Sequence, residues 1–374
     1  MSETGQEILA GGSAPASAGD PGFLWDFWYP ALRSEAIRGR KLATAMLLEV
    51  PLVLGRTREG RAFAMRDACP HRGIPLSYGR FDGQAVECSY HGWKFDGCSA
   101  RCTEIPSLSS QDKVKVERIS AGHYPCAERD GYVWVYMSAP RQAGAGPGAR
   151  LAETLPAAPE LPKFSEKYKI THLECDLPSH IDHGIIGLMD PAHGPFVHQS
   201  WYWRSRRSIH EKAKQFEPIP NGFRMSKHEP SSNSAPYKIL RYFSGAATTT
   251  MIDFVLPNMR FEEIRSGRLW FSSRATVTPV RRDLCRIDFV AAWNVLLPVT
   301  VFRMFAKPFL RQDQLTMIQQ AEGLKHDPRL MLIDDADRPA KWYFALKAGL
   351  LESRRSGAPM VHPMSGPVTL HWRS

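Results

Sequence analysis

Two short strings, "CPHRG" beginning at Cys69 and "CSYHGW" beginning at Cys88, constrain this chain more than any other feature. They set a thiol and an imidazole in each of two segments, as Cys-x-His, sixteen residues, then Cys-x-x-His. Pro70, Gly73 and Gly92 supply tight turns that let backbone amides approach the sulfurs. Cys69, His71, Cys88 and His91 can therefore converge on one centre, and the fold around them must present two loops side by side. Thiolates suit ferric iron in an iron-sulfur cluster, and neutral imidazoles on its second iron raise the potential to within about −150 to +300 mV. The same four residue types also suit tetrahedral zinc, although the Cys-x-His half is a poor match to the usual Cys-x-x-Cys of zinc fingers.

From "FLWDFWYPAL" at Phe23 to "GYVWVYMSAP" ending at Pro140, short β-branched and aromatic runs alternate with Gly and Pro turns, which predicts an all-β unit over residues 23–140. Residues 141–162, dominated by Ala, Gly and Pro, read as a connection. Beyond it "KYKITHLECDL" reads as a strand, further strand-like runs follow, and the C-terminal quarter is helical. An α+β domain is expected over 163–355, with 356–374 as an extension. Residues 1–22 are rich in Ser, Gly and Ala and lack the basic start and apolar stretch of a secretion signal, so a disordered tail is expected.

The longest apolar run, residues 289–310, is cut by Asn294, Pro298, Arg303 and Lys307 and reads as a core strand followed by an amphipathic helix rather than a membrane span. Seven cysteines without a signal point to a reducing, cytoplasmic setting without disulfides, with Cys98, Cys102, Cys126, Cys175 and Cys285 as packing residues. The net charge is +10, and its densest patch, "RSRRSIHEKAK" from Arg204, reads as a solvated face or a docking surface. No nucleic-acid-binding motif accompanies it, so nucleic acid is not an expected partner.

A second constellation is "DPAHGPFVHQS", from Asp190. Asp190 and His193 are three apart and would share a helix face, but His198, five beyond His193, would be rotated about 140° away on a regular helix. Gly194 and Pro195 favour a break between the two histidines, and such a break permits a convergence that regular geometry forbids. Two histidines at this spacing can equally be solvent-facing or internally satisfied.

The string "CPHRGIPLSYGRFDGQAVECSYHGWKFD" resembles the Rieske [2Fe-2S] motif over its full length, and "DPAHGPFVH" resembles the motif of the catalytic domain in Rieske non-haem iron oxygenases. The resemblance runs from about Phe23 into the C-terminal helices. It implies an N-terminal all-β Rieske domain followed by an antiparallel sheet with helices, of helix-grip type. It implies that Cys69 and Cys88 hold one iron of the cluster and His71 and His91 the other, and that His193 and His198 ligate a mononuclear Fe(II). Asp190 would not be a ligand. It would hydrogen-bond His193 and the cluster ligand His91 of a neighbouring subunit, in a ring-shaped and typically trimeric oligomer. An acidic residue often stands four or five positions before this aspartate, whereas here Ile185 and Ile186 do, and Asp182 lies farther back.

A carboxylate must complete such a site. In "AKPFLRQDQLTMIQQAEGLK", Ala306, Leu310, Asp313, Met317, Ala321 and Leu324 step by three and four, one inward stripe of a helix with Asp313 on it. A carboxylate there needs a cation, either iron or a partner such as Arg303 or Arg311. The family places its ligand aspartate in a comparable segment.

The resemblance thus implies an oxygenase component that takes electrons through a Rieske cluster and uses O₂ at Fe(II) to hydroxylate or dealkylate its substrate, with ring cis-dihydroxylation as the alternative. A Rieske electron-transfer protein with an inactive second site is the reading from another class. No GxGxxG fingerprint or plant-type ferredoxin spacing is present, so electrons from NAD(P)H would arrive through a separate reductase, with or without a ferredoxin. Phe196, Trp201, Tyr202 and Trp203, with a strand expected in "VLPNMRFEE" from Val255, suit an apolar, aromatic or polycyclic substrate.

Overall fold

The computed structural model describes residues 22–139, 155–199, 206–230 and 235–374. The expected tail, most of the connection, and Trp201, Tyr202 and Trp203 lie outside them. The chain divides into two compact units, residues 24–160, and residues 161–374 with the segment up to Phe23.

The first unit is all-β. Its strands are β1 (Phe27–Arg33), β2 (Ala43–Leu47), β3 (Val50–Arg56), β4 (Ala62–Arg66), β5 (Arg80–Phe81), β6 (Ala85–Glu87), β7 (Lys94–Asp96), β8 (Cys102–Glu104), β9 (His123–Tyr124), β10 (Cys126–Arg129) and β11 (Tyr132–Met137). They form sheets ordered β1-β11-β10, β2-β3-β4-β9 and β5-β6-β7-β8. Strand β11, "YVWVYM", is buried along its whole length, as expected of an aromatic and β-branched run covered on both faces. A second buried cluster joins Val53, Phe63 and Met65 to Leu76, Val86 and Phe95, and includes the sulfurs of Cys69, Cys88 and Cys102. Residues 155–160 belong here rather than to a free linker, with Pro156 O accepting from Trp28 Nε1 at 2.7 Å.

The second unit is one antiparallel sheet with helices on one face. Strands β12 (Lys169–Leu177), β13 (Glu211–Ile219), β14 (Gly222–His228), β15 (Thr248–Val255), β16 (Met259–Ser266), β17 (Leu269–Arg281), β18 (Leu284–Trp293) and β19 (Val368–Arg373) are ordered β12-β18-β17-β16-β15-β14-β13-β19. The helices are α1 (Ile181–Met189), α2 (Gly194–Val197), α3 (Ala235–Ser244), α4 (Val299–Leu324) and α5 (Arg338–Ser356). The face they cover can be read from contacts. A Cβ on Gly184 of α1 would meet Cys285 Sγ at 2.8 Å and Val277 Cγ1 at 2.9 Å, so only glycine lets the helix lie this close to β17 and β18. Phe302 of α4 packs on Trp293 with ring centres 4.7 Å apart, and Trp342 of α5 on Phe223 at 5.3 Å.

Three expectations change here. Residues 356–374 are no appendage, because β19 closes the sheet along β13 from Glu211↔Arg373 to Phe216↔Val368. The strand expected from Val255 is interrupted, with β15 ending at Val255, a turn over residues 256–258 and β16 running on from Met259. In the basic patch, Lys212 and Lys214 share a side of β13 with the fully buried Phe216, so they point inward, because side chains alternate along a strand. Arg206 and Arg207 are exposed in a 3-10 turn. No helix among the described residues is long and apolar enough to cross a membrane.

Candidate metal centres

The first unit brings Cys69, His71, Cys88 and His91 together on two loops with matching hydrogen bonds. Cys69 N donates to Ile74 O and Gly73 N to Cys69 O, both at 2.8 Å; Cys88 N donates to Trp93 O at 2.8 Å and Gly92 N to Cys88 O at 3.0 Å. Gly73 and Gly92 close the loops at φ 76° and 70°, a region costly for other residues. Asp67 braces the first loop by accepting from Ser77 N and Ser77 Oγ, both at 2.7 Å.

Both sulfurs are buried and both rings lie outside them. Burial, and then the neighbouring Cys88 sulfur, push the Cys69 thiol up to about 11. The His71 and His91 ring centres are 4.6 Å apart, and His71 stacks on Trp93 at 4.7 Å and 5°. Desolvation, then the charges of His91 and Arg72, hold His71 below its ordinary pKa, which keeps the imidazole in its ligand form. His91 Nδ1 is buried without a hydrogen-bond partner among the described residues, a lone pair awaiting an acceptor of electrons. Among the described residues the one group of three or more ligand atoms within 4.8 Å of each other lies elsewhere, so these four do not close on a single ion as tetrahedral zinc requires. A multi-atom cluster with one cysteine and one histidine from each loop fits the donor set.

The elsewhere is His193, His198 and Asp313, in the second unit. Helix α1 is anchored by Asp182, which accepts from Tyr343 Oη at 2.5 Å and from Lys347 Nζ at 2.7 and 2.9 Å. That carboxylate is engaged by α5 and does not serve Asp190. The helix ends at Met189, and Asp190 caps it, its N–H donating to Ile186 O at 3.0 Å. Asp190 Oδ1 accepts from Ala192 N at 2.6 Å, and Oδ2 lies 3.5 Å from His193 Nδ1.

The helix therefore breaks one turn earlier than the sequence suggested. Asp190 and His193 do not share a helix; His193 caps the start of α2, with Pro195 in its first turn, where a missing N–H costs nothing. His198 follows its last residue, so the two histidines flank a single turn and their Nε2 atoms come within 3.2 Å. Asp313 Oδ1 lies 3.1 Å from His198 Nε2.

Helix α4 does carry the expected stripe inward, but Asp313 retains 28 % exposure and faces His198 rather than Arg303 or Arg311, both of which are exposed. Burial works against a charge on His193, yet Asp190 and then Asp313 outweigh it and raise its pKa. Two imidazole nitrogens and a carboxylate oxygen packed this closely are one cation short of balance.

Two residues here were not anticipated. Gln312 Oε1 lies 3.1 Å from His198 Nδ1, and Phe309 stacks on the same ring at 3.5 Å and 12°. With the amide oxygen as acceptor, His198 Nδ1 carries the proton and Nε2 keeps its lone pair for the group. Their signal was available, since Phe309 and Asp313 are four apart on one helix face. Phe196 is half exposed, with the Arg206 guanidinium 5.8 Å from its ring centre.

The position of the triad follows from the edges of the sheet. Ala192 borders a cleft of about 600 Å³ with His371, Trp372 and Arg373 of β19, while Gln314 Nε2 of α4 donates to Asp176 O of β12 at 2.8 Å. The histidine loop thus lies near one edge strand of the sheet, and the aspartate helix is bonded to the other.

The Rieske [2Fe-2S] domain family matches residues 27–119. Chlorophyllide a oxygenase of Chlamydomonas reinhardtii is 38% identical over 184 residues, 48% of this chain and 25% of that protein. The 3-chlorobenzoate-3,4-dioxygenase oxygenase subunit of Comamonas testosteroni is 31% identical over 183 residues, 47% of this chain and 38% of that one. The chain therefore spans well under half the length of these relatives. Among solved structures, NdmA of Pseudomonas putida CBB5 with caffeine superposes at a TM-score of 0.69 over 92% of this chain and 96% of that one, at 17% identity, a likeness of fold.

Proposed function

We propose, from the premise that this chain belongs to the Rieske non-haem iron oxygenase family, that it is the oxygenase component of a multicomponent system acting on an apolar ring substrate. The convergence of His193, His198 and Asp313 within 4.8 Å carries the reading. An electron-transfer protein with a dead second site would have no reason to keep that triad together.

In this reading Cys69, Cys88, His71 and His91 hold the [2Fe-2S] cluster, and His193, His198 and Asp313 hold Fe(II). Iron bound there supplies open coordination positions where O₂ can meet the substrate. The protein's own groups do the rest. Asp313 contributes one negative charge, Gln312 fixes the tautomer of His198, and Asp190 orients His193. Asp190 also offers a route for electrons if His91 of the partner subunit reaches it in a ring-shaped trimer. One oxygen atom enters the substrate and the other leaves as water, which consumes two electrons and two protons delivered from NAD(P)H by a separate reductase, with or without a ferredoxin, in a reducing cytoplasm. Motif spacing supports monooxygenation over cis-dihydroxylation.

Metal analysis with paramagnetic resonance tests this. The expected content is two acid-labile sulfides and roughly three irons per chain, with substrate-dependent oxygen uptake across aromatics, methyl ethers and terpenoids. Zinc in either centre, or one ¹⁸O₂-derived atom replaced by two in the product, would overturn the iron assignment or the monooxygenase assignment respectively.

A further inference from the structure

Helix α3 turns toward solvent a face that a helix of a folded domain ordinarily buries. Tyr237, Leu240 and Ser244 are partly covered, and at about 100° per residue they fall on one side of the helix. The outward side carries Ile239, Tyr242 and Phe243, exposed to 54%, 84% and 73%. The rings of Tyr242 and Phe243 meet edge to face with centres 5.6 Å apart. Apolar side chains scattered singly over a surface are ordinary, but three large ones within five residues form a patch that marks a binding face.

The helix is fastened at its C-terminal end, so the patch is held in a set orientation. Gly245 N donates to Arg241 O at 3.0 Å and closes the last turn. Ser244 Oγ lies 2.6 Å from Ser266 Oγ of β16, which donates to Ala246 O at 3.0 Å and accepts from Thr248 Oγ1 of β15 at 3.1 Å. Ser266 and Thr248 are both buried, which shields these bonds from water.

Charge identifies what covers the patch. Between Glu229 and Asp253 the sequence holds no acidic residue, and the exposed Lys238 and Arg241 border the apolar side chains along one flank of the helix. A third exposed cation, Arg268, follows Gly267, where an added Cβ would meet Ala246 Cβ at 3.4 Å and Ser244 O at 3.7 Å, so it stands near the end of α3. Among the described residues none of the three is in an ion pair, while Glu263 of β16 is taken by Arg265. An apolar sector bordered by cations suits the boundary of a bilayer, where the apolar groups sink about 5–10 Å and the cations meet anionic headgroups. A second copy is a poor cover, because a chain of net charge +10 would set cation against cation.

We propose that α3 docks this protein on an anionic lipid surface, with Ile239, Tyr242 and Phe243 entering the headgroup boundary and Lys238, Arg241 and Arg268 meeting the lipid phosphates. The contact is peripheral, made by the outward side of one helix whose other side stays on the sheet. It does not depend on the oxygenase reading.

Co-sedimentation of the holoprotein with lipid vesicles tests it, comparing pure phosphatidylcholine with a mixture of phosphatidylcholine and phosphatidylglycerol. Wild type is expected to bind the anionic vesicles more tightly than the neutral ones. Tyr242→Ser with Phe243→Ser should weaken that binding by at least about tenfold. Lys238→Ser with Arg241→Ser should weaken it by about tenfold or more on the anionic vesicles and little on the neutral ones. Arg206→Ser with Arg207→Ser, which removes two exposed cations outside α3, should bind as wild type does. Failure of the wild type to sediment with the anionic vesicles overturns the proposal without any variant having to fold. Unchanged binding by the Tyr242 and Phe243 variant, with wild-type circular dichroism and cluster spectrum, overturns it as well. Equal losses in the two cation variants would show adsorption by overall charge, and a smaller particle by light scattering in the Tyr242 and Phe243 variant would show a face between copies; either result rejects the lipid surface. Turnover is not measured, so these outcomes stand whether or not iron occupies the second unit.

Discussion

His198 Nδ1 lies 3.1 Å from Gln312 Oε1 and His198 Nε2 lies 3.1 Å from Asp313 Oδ1, so successive residues of α4 hold opposite ends of one imidazole. Gln312 acts on the iron site only through that ring. Gln312→Leu should therefore weaken Fe(II) binding by about 10- to 100-fold, read by equilibrium dialysis, with the [2Fe-2S] spectrum unchanged. Gln312→Glu keeps an acceptor at the same place and should restore most of the affinity. Equal iron affinity in the leucine variant would show that stacking on Phe309 alone orients the ring.

Asp190 touches His193 from outside the ligand set, at 3.5 Å. Asp190→Ala should leave both metal contents near wild type and lower turnover by about 100-fold. The readout that isolates its proposed relay role is the single-turnover rate at which the reduced cluster is reoxidised in the presence of substrate and O₂. A variant that loses iron in proportion to activity would reduce Asp190 to a support for His193.

The anchor at Asp182 should matter for stability. Lys347 is only 12% exposed and donates twice to this carboxylate, so Asp182→Ala leaves a nearly buried ammonium unpaired. The expected cost is about 2–3 kcal/mol in urea unfolding of the second unit. Asp182→Leu combined with Lys347→Met should recover part of it, since neither charge then remains to be stranded.

Asp288 gives a pH signature. Its side chain accepts from Thr278 Oγ1 at 2.5 Å and from Arg286 Nε at 2.8 Å, but complete burial outweighs both and raises its pKa from 3.8 to about 6. Folding thus favours the protonated acid. Its contribution is fully present below pH 3.8 and is lost as pH rises through 6. Asp288→Asn stays neutral throughout, so it should gain on the wild type between pH 4 and pH 7 by up to about 3 kcal/mol. Urea midpoints of the two proteins at both pH values decide it, and a difference that does not vary with pH would mean Asp288 is ionised throughout.

How much of this could be read beforehand depends on the range of the interaction. The stripe from Ala306 to Leu324 is set by local helical period, and α4 places it as periodicity suggests. The break near Asp190 was read one turn late because Pro195 can end a helix or begin one, and the choice depends on whether its missing donor was needed. Strand β16 is harder still. In "MRFEEIRS" charges alternate onto both sides of β16, and only pairing with β15 and β17 makes Arg260 and Glu262 face inward while Glu263 and Arg265 face out. Likewise the inward turn of Lys214 goes with the pairing of β13 to a strand far downstream, where Lys214 lies opposite Leu370.

The two proposed centres differ in how far apart in the chain their parts lie. The cluster loops span only residues 69–91, and that unit closes its sheets within residues 24–160. The histidine loop and Asp313 meet across more than a hundred residues of chain, which carry strands β13 to β18. Contacts this distant form late, after loop-closure entropy has been overcome. Maturation therefore has an order written into the topology, with the sulfur-bound cluster able to assemble on a shorter nascent chain than the lone iron needs.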